Sequence, residues 1–216
     1  MKIYNLALSS VFCLLAISGC SNTKLTESWS DPLDKTTYKD IMIVGISTSE
    51  MTRRAYESNF VASLQKEGLN AVPSYELISQ QEELQFGDGS QGQFRKLVES
   101  AIKNTKIDSV LITHVVAINQ DESTPIPVGV AIVTAPAAYY GNMYGYQSYV
   151  TSYVQPDYYG DDRQTYVLES SLFDAKTEEI VWSARSSTFA PDSIEETIQS
   201  VTKLFIDDLK SRRLIK

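Results

Sequence analysis

Few side chains in this 216-residue chain are of types that do covalent chemistry, and their spacing narrows what each can do. There is one histidine, His114, set in the apolar run Val110-Leu111-Ile112-Thr113-His114-Val115-Val116, and there are two cysteines, Cys13 and Cys20. A single histidine with no thiol nearby does not make the usual zinc clusters, nor a Ser-His-Asp or Cys-His site. His114 therefore reads as a packed or hydrogen-bonded strand residue. The acidic pairs Glu82-Glu83, Asp161-Asp162 and Asp207-Asp208 are adjacent in sequence, which on a regular element sends the two carboxylates in different directions. They read as solvated faces. Gly87-Asp88-Gly89-Ser90-Gln91-Gly92 lacks the preceding strand and the closing Lys-Ser/Thr of a phosphate loop. Arg53-Arg54 and Glu57 have the charge to take an anion at a helix start, but the same residues make ion pairs along a helix, and pairing is the expected use. No catalytic residue, metal ligand or cofactor is assigned.

Cys20 has the most specific surroundings. Met1-Lys2 is followed by an apolar run from Ile3 to Ile17 and then by Ser18-Gly19-Cys20. That is the anatomy of an export signal, and the run is shorter than the roughly 20 residues a permanent transmembrane helix needs. Leu15-Ala16-Ile17-Ser18-Gly19-Cys20 resembles the lipobox of bacterial lipoproteins. The resemblance implies cleavage between Gly19 and Cys20, a diacylglycerol thioether on Cys20, and a further acyl chain, such as palmitate, on its amine. Cys13 leaves with the signal, so Cys20 keeps no disulfide partner. Two or three acyl chains anchor a protein stably, at about 0.8 kcal/mol per buried methylene. Ser21 follows where Gram-negative lipoproteins retained in the inner membrane carry Asp, which by the same resemblance implies the outer membrane and its periplasmic face.

Without Lys2, 18 basic residues face 27 acidic ones, a net charge near −9. Such a surface repels nucleic acid and anionic head groups, so the expected contacts are a membrane through the lipid and an envelope protein or another copy of this chain. The domain plan is a signal peptide over 1–19, a lipidated N-terminus and polar tether over 20–39 with Trp29 tucked onto the domain, and one domain over 40–216.

Within that domain Asp40 to Ser47 is an almost continuous apolar run suited to a strand buried on both faces. Tyr56, Phe60 and Leu64 recur at helical spacing before Gly68, and Leu69 to Pro73 reads as a second strand, completing a parallel βαβ unit. Ser79 to Gly92 reads as a loop with a helical piece. Phe94, Leu97, Val98, Ala101 and Ile102 mark a helix, and Ile107 to Ile118 a central strand. Tyr166 to Phe173 and Ile180 to Phe189 alternate better and flank a turn that starts at Asp174. Ser193-Ile194-Glu195-Glu196 is a capping box opening a last helix striped by Ile194, Ile198, Val201, Phe205 and Leu209. The expected fold class is α/β (α+β): a single mixed β-sheet of about five strands with helices packed on it.

Between two of those strands lies an uncharged, Tyr-rich insertion over 123–165. No charged residue occurs from Ser123 to Pro156, and nine of the thirteen tyrosines fall between Tyr139 and Tyr166. With a Gly141-Asn142 turn it reads as a long hairpin or flap. Three uses compete: an extension of the sheet through Ile126, Val128, Val130 and Ile132; a partner or self-association surface through Tyr139, Tyr140, Tyr144, Tyr146, Tyr149 and Tyr153, since tyrosine offers large area and a polar tip; or a membrane hairpin of an oligomeric barrel.

Ser28-Trp29-Ser30-Asp31-Pro32, the stretch Arg54 to Ile78 with its Val72-Pro73-Ser74-Tyr75 close, and Leu172-Phe173-Asp174 through Val181-Trp182-Ser183-Ala184 together resemble small proteobacterial outer-membrane lipoproteins of unknown function. The element order looks like the domain shared by the curli-secretion channel lipoprotein, the peptidoglycan-synthase activator lipoproteins and the amino-terminal domain of TolB. These resemblances imply a non-enzymatic binding or assembly module of the cell envelope. The alternatives are an envelope hydrolase working through His114 and a subunit of an oligomeric secretion channel.

Overall fold

The computed structural model describes residues 22–77, 91–119, 142–152, 165–189 and 193–216; for 91–94, 97, 117–119, 147–149 and 151–152 the description covers the backbone alone. In chain order these form β1 (Thr23–Ser30), β2 (Asp40–Ile46), α1 (Glu50–Lys66), β3 (Asn70–Pro73), a 3-10 turn (Ser74–Glu76), α2 (Gln91–Thr105), β4 (Ser109–Asn119), α3 (Met143–Ser152), β5 (Thr165–Asp174), β6 (Ile180–Phe189) and α4 (Ile194–Ser211). The strands make one mixed sheet in the order β1-β6-β5-β4-β2-β3. The fold class is the expected one, with six strands where about five were expected.

The βαβ unit has the expected hand-off. Ser49 caps α1, its side chain accepting from Thr52 N at 3.2 Å, and Gly68 ends the turn after it at φ 82°, a conformation in which a Cβ would be strained. β3 and β4 lie on either side of β2 and parallel to it, pairing Asp40 with Asn70 and Ile41 with Ser109. Being central, β2 and β4 bury both faces, which is why their sequences do not alternate. Ile41, Ile43 and Leu111 meet Phe60 and Leu64 of α1 and Val201 and Phe205 of α4. Met42, Val44, Val110 and Ile112 meet Val98 of α2 and Met143 and Val150 of α3. The result is three layers, helices on each side of one sheet.

Two expectations are corrected. Thr23–Ser30, read as part of a tether, is an edge strand paired antiparallel with β6 from Thr23↔Thr188 to Ser30↔Trp182. Its polar composition hid it because an edge strand keeps much of its surface in water, and a register shift between Leu25 and Glu27 breaks the two-residue period. Leu25 thereby packs on the α1/α4 core and Trp29 on the α2/α3 core.

The second correction concerns the hairpin or flap. Its stretch Met143–Ser152 is helical. Asn142 is a helix cap: its Oδ1 accepts from Gly145 N at 3.0 Å, and its carbonyl accepts from Tyr146 N at 3.0 Å. Asparagine serves turns and N-caps equally well, and Met143, Tyr146 and Val150 sit at the i, i+3, i+7 positions that one helix face requires. The stretch 120–141, with the proposed sheet extension, lies outside the described residues, as do 78–90 and 153–164.

Strand directions sort the molecule into two ends. One end, called upper here, gathers the start of β1, the ends of β2, β4 and β6, the start of β5, and the first turns of α1 and α4. The lower end holds the β1–β2 connection, the Asp174 turn and the residues after α4.

Candidate functional site

The α2/α3 face of the sheet carries a row of polar side chains that only strand register brings together. His114 on β4 is paired with Glu169 on β5, and Glu169 with Arg185 on β6. Glu169 and Arg185 are each 5% exposed, and Arg185 Nη2 donates to Glu169 Oε2 at 3.0 Å. From α3 the Tyr146 hydroxyl donates to Glu169 Oε1 at 2.8 Å. The same hydroxyl lies 3.5 Å from His114 Nδ1, the two rings meeting edge-on with centroids 5.9 Å apart. Ser171 Oγ lies 3.3 Å from the Tyr146 hydroxyl and 3.1 Å from Ser183 Oγ.

The electrostatics follow from burial. Loss of water raises the Glu169 carboxyl above the usual range, while the Tyr146 hydrogen bond and the Arg185 charge pull it back. Burial first, and the Arg185 charge second, push the His114 imidazole down to about 3, so it is neutral at physiological pH. The row holds one ion pair, one phenol and one neutral imidazole, with Arg185 Nε buried and without a hydrogen-bond partner among the described residues. Removing one partner from such a buried network leaves the other charge uncompensated.

A second polar cluster closes the βαβ unit on the other face. Glu57 Oε1 accepts from Gly45 N at 2.9 Å, Arg53 Nε at 3.1 Å and Ser74 Oγ at 2.8 Å, and Oε2 accepts from Tyr75 N at 3.1 Å. Burial raises the Glu57 carboxyl, with Arg53 as the main offset. A Cβ at Gly45 would stand 3.3 Å from Tyr56 Cδ1, so glycine lets α1 approach β2 this closely. Arg53 and Arg54 do pair, as expected, though Arg53 does so in the interior at 1% exposure. Arg54 pairs with Glu50 and lies over the Tyr75 ring at 4.6 Å.

Between the first turns of α1 and α4 at the upper end is a cleft of about 50 Å³ lined by Ile46, Tyr56, Thr113, Leu168, Ile194 and Ile198, among others. At that volume it has room for a few waters and not for a drug-sized ligand. The Tyr56 hydroxyl on its wall is hydrogen-bonded to Thr113 Oγ1 at 2.7 Å, and Thr113 Oγ1 to Ser170 Oγ at 2.7 Å.

Of the sequence-derived sites, Gly19, Cys20, Tyr139, Tyr140 and Tyr153 lie outside the described residues, and Tyr149 is placed on α3 by its backbone alone. Tyr144 and Tyr146, expected on a partner-binding surface, are 4% and 2% exposed and belong to the core. Helical periodicity turns Tyr146 inward with Met143 and Val150, while Tyr144 is covered by Arg95 at 4.9 Å from its ring. Sequence reasoning missed Glu169 and Arg185. The available signal was a charged residue in the middle of each of two adjacent strands, Glu169 in Thr165–Asp174 and Arg185 in Ile180–Phe189, which a core tolerates when the charges pair.

No protein-family model matches the chain, and no curated protein does. Solved structures with some likeness include a PelC dodecamer from Paraburkholderia phytofirmans, at 10% identity and a TM-score of 0.45 over 85% of this chain and 94% of that one. A variant of that dodecamer with one leucine replaced by methionine gives 11% identity and 0.44 over 85% and 95%. Lipoprotein GNA1162 from Neisseria meningitidis gives 12% identity and 0.40 over 80% and 99%.

Proposed function

We propose that this protein is a bacterial envelope lipoprotein in which 1–19 directs export, Cys20 carries the lipid, and the domain is a non-enzymatic binding or assembly module. Its place is the periplasmic face of the outer membrane, and its partner is an envelope protein or a second copy of the chain. The observation that carries this reading is the Leu15-Ala16-Ile17-Ser18-Gly19-Cys20 spacing behind a charged start and an apolar run, followed three residues later by the first strand of a folded domain. A soluble domain joined so closely to a lone cysteine is well made for a covalent lipid anchor. The non-enzymatic part is supported by the way the titratable groups are used: His114, Tyr146, Glu169 and Arg185 are turned toward one another inside the sheet–helix layer.

Fractionation with mass measurement tests the anchor. The wild-type protein is expected in the membrane fraction with an N-terminal peptide heavier by a diacylglyceryl and an acyl group. Cys20→Ser is expected in the soluble periplasm or as uncleaved precursor; normal cleavage and retention of that variant overturns the reading. A photoreactive residue at Leu33, 85% exposed, tests the partner in intact cells. An adduct of defined mass is expected, and a profile identical to the unirradiated control removes the binding-module reading.

A further inference from the structure

We infer that the upper end of the sheet is the face the domain presents to the lipid bilayer, with Met51 near the head groups and Leu33 on the opposite, outward end. This rests on the lipoprotein reading of Cys20 and adds an orientation to it.

The argument starts from how little chain separates the anchor from the fold. Phe189 N donates to Asn22 O at 3.1 Å, and β1 is paired with β6 from Thr23 onward, so Ser21 alone stands between Cys20 and the sheet. Two residues reach at most about 7 Å. A segment read as a long polar spacer is thus folded into the edge of the sheet, and the domain cannot stand away from the membrane or tumble freely on its lipid while β1 stays paired. The end of the sheet at which β1 begins is therefore the near end.

Exposure agrees with that placement. The two large apolar side chains that are most exposed among the described residues lie at opposite ends: Met51, 77% exposed, in the first turn of α1, and Leu33, 85% exposed, just beyond the last residue of β1. The 8 residues of β1 separate the ends by about 27 Å, more than half the thickness of a bilayer with its head groups. The outward end carries Asp31, Asp34, Lys35, Asp108, Lys176 and Arg213, a wetted and charged surface. The near end holds Met51, half-buried Phe189 and the apolar cleft, beside the charged Glu50, Arg54, Glu195 and Glu196 of the two first helical turns. Aligning the sheet this way turns the outward end away from the bilayer.

Depth-dependent quenching tests the orientation. After cleavage the only other cysteine is Cys20, whose sulfur as a lipid thioether does not react with thiol labels, so Met51→Cys and Leu33→Cys can each be labelled singly with a fluorophore. Each purified lipidated variant is placed in phosphatidylcholine vesicles bearing a head-group spin label. The expected result is quenching at position 51 several-fold greater than at 33, and the same contrast for Lys24→Cys, beside the start of β1, over Lys176→Cys in the lower turn. The second pair decides the matter if either first variant fails to fold. Equal quenching at the two ends, or greater quenching at 33, on vesicle-bound protein overturns the orientation and leaves the anchor standing. Wild-type protein that neither binds vesicles nor carries lipid mass overturns the anchor and the orientation together.

Discussion

The Tyr146 hydroxyl on α3 donates to Glu169 Oε1 on β5 across 2.8 Å, and the same carboxylate takes Arg185 through its other oxygen. One helix that enters the fold late in the chain thereby supplies the neutral donor that completes a buried ion pair set by the sheet. Tyr146→Phe removes only the donor. It is expected to cost about 1–3 kcal/mol, the penalty for an under-satisfied buried charge, read as a lowered urea midpoint with an unchanged slope. Tyr146→Ala, which also opens a cavity beside Phe173, is expected to cost about 3–5 kcal/mol.

His114 sets the acid limb of stability. Its folded-state value, pushed down to about 3, lies below the unfolded value near 6.5, so the unfolded chain binds the proton first. This contribution is whole above about pH 6.5 and drains as pH falls toward 3, at up to about 1.4 kcal/mol per unit. Glu57 and Glu169 run the other way: their raised values make their contribution largest in acid and diminish it as pH rises through the folded values. Going from pH 7 to pH 5 should lower the urea midpoint more in the wild type than in His114→Gln, where the opposing carboxyls Glu57 and Glu169 remain.

Glu57 and Arg53 form a pair with side chains 0% and 1% exposed. Removing Glu57 leaves buried Arg53 with the longer 3.4 Å contact to Glu50 and the Ser74 hydroxyl, and removing Arg53 leaves Glu57 with neutral donors, so Glu57→Ala and Arg53→Ala are each expected to cost about 3–5 kcal/mol. The double variant should cost much less than the sum. A double-mutant cycle by chemical denaturation checks this, and strict additivity would deny the pair its role in holding α1 on β2.

Asp208 of α4 accepts from Trp182 Nε1 at 2.7 Å, from Ser28 Oγ at 2.6 Å and from Arg212 Nε at 2.9 Å. It ties β1, β6 and α4 together. Asp208→Ala should loosen β1 in particular, seen as faster amide hydrogen exchange over Thr23–Ser30 while β4 and β5 keep their protection. If the domain is oriented as proposed, the same variant should weaken the quenching contrast between positions 51 and 33, because a released β1 becomes a tether.

Gly45→Ala should destabilise by on the order of 1 kcal/mol through the 3.3 Å approach to Tyr56 Cδ1. Thermal unfolding of the full domain measures it, and a neutral result would mean that α1 shifts freely on β2.

Much of the scaffold was legible in the chain because its signals are local. The continuous apolar runs of β2 and β4, the capped and striped α1 and α4, and the Asp174 turn all appear where composition places them, since each depends on neighbours within a few residues. The lipobox resemblance is equally local and needs no fold to be read.

Register, helix facing and edge pairing were decided only in three dimensions. Nothing near His114 in sequence points to Glu169 or Arg185; strand alignment puts the three in a row. Tyr144 and Tyr146 looked like surface because tyrosine suits an interface, yet a helix begun by Asn142 turns Tyr146 into the core and lays Tyr144 under Arg95. Thr23–Ser30 looked like tether because an edge strand need not be apolar, and its pairing with β6 is what shortens the leash on Cys20 to Ser21. The sequence by itself determined that there is a candidate anchor and a domain to hold. The tertiary structure decided how near Cys20 the sheet begins, because only long-range hydrogen bonding converts a polar segment into part of a sheet.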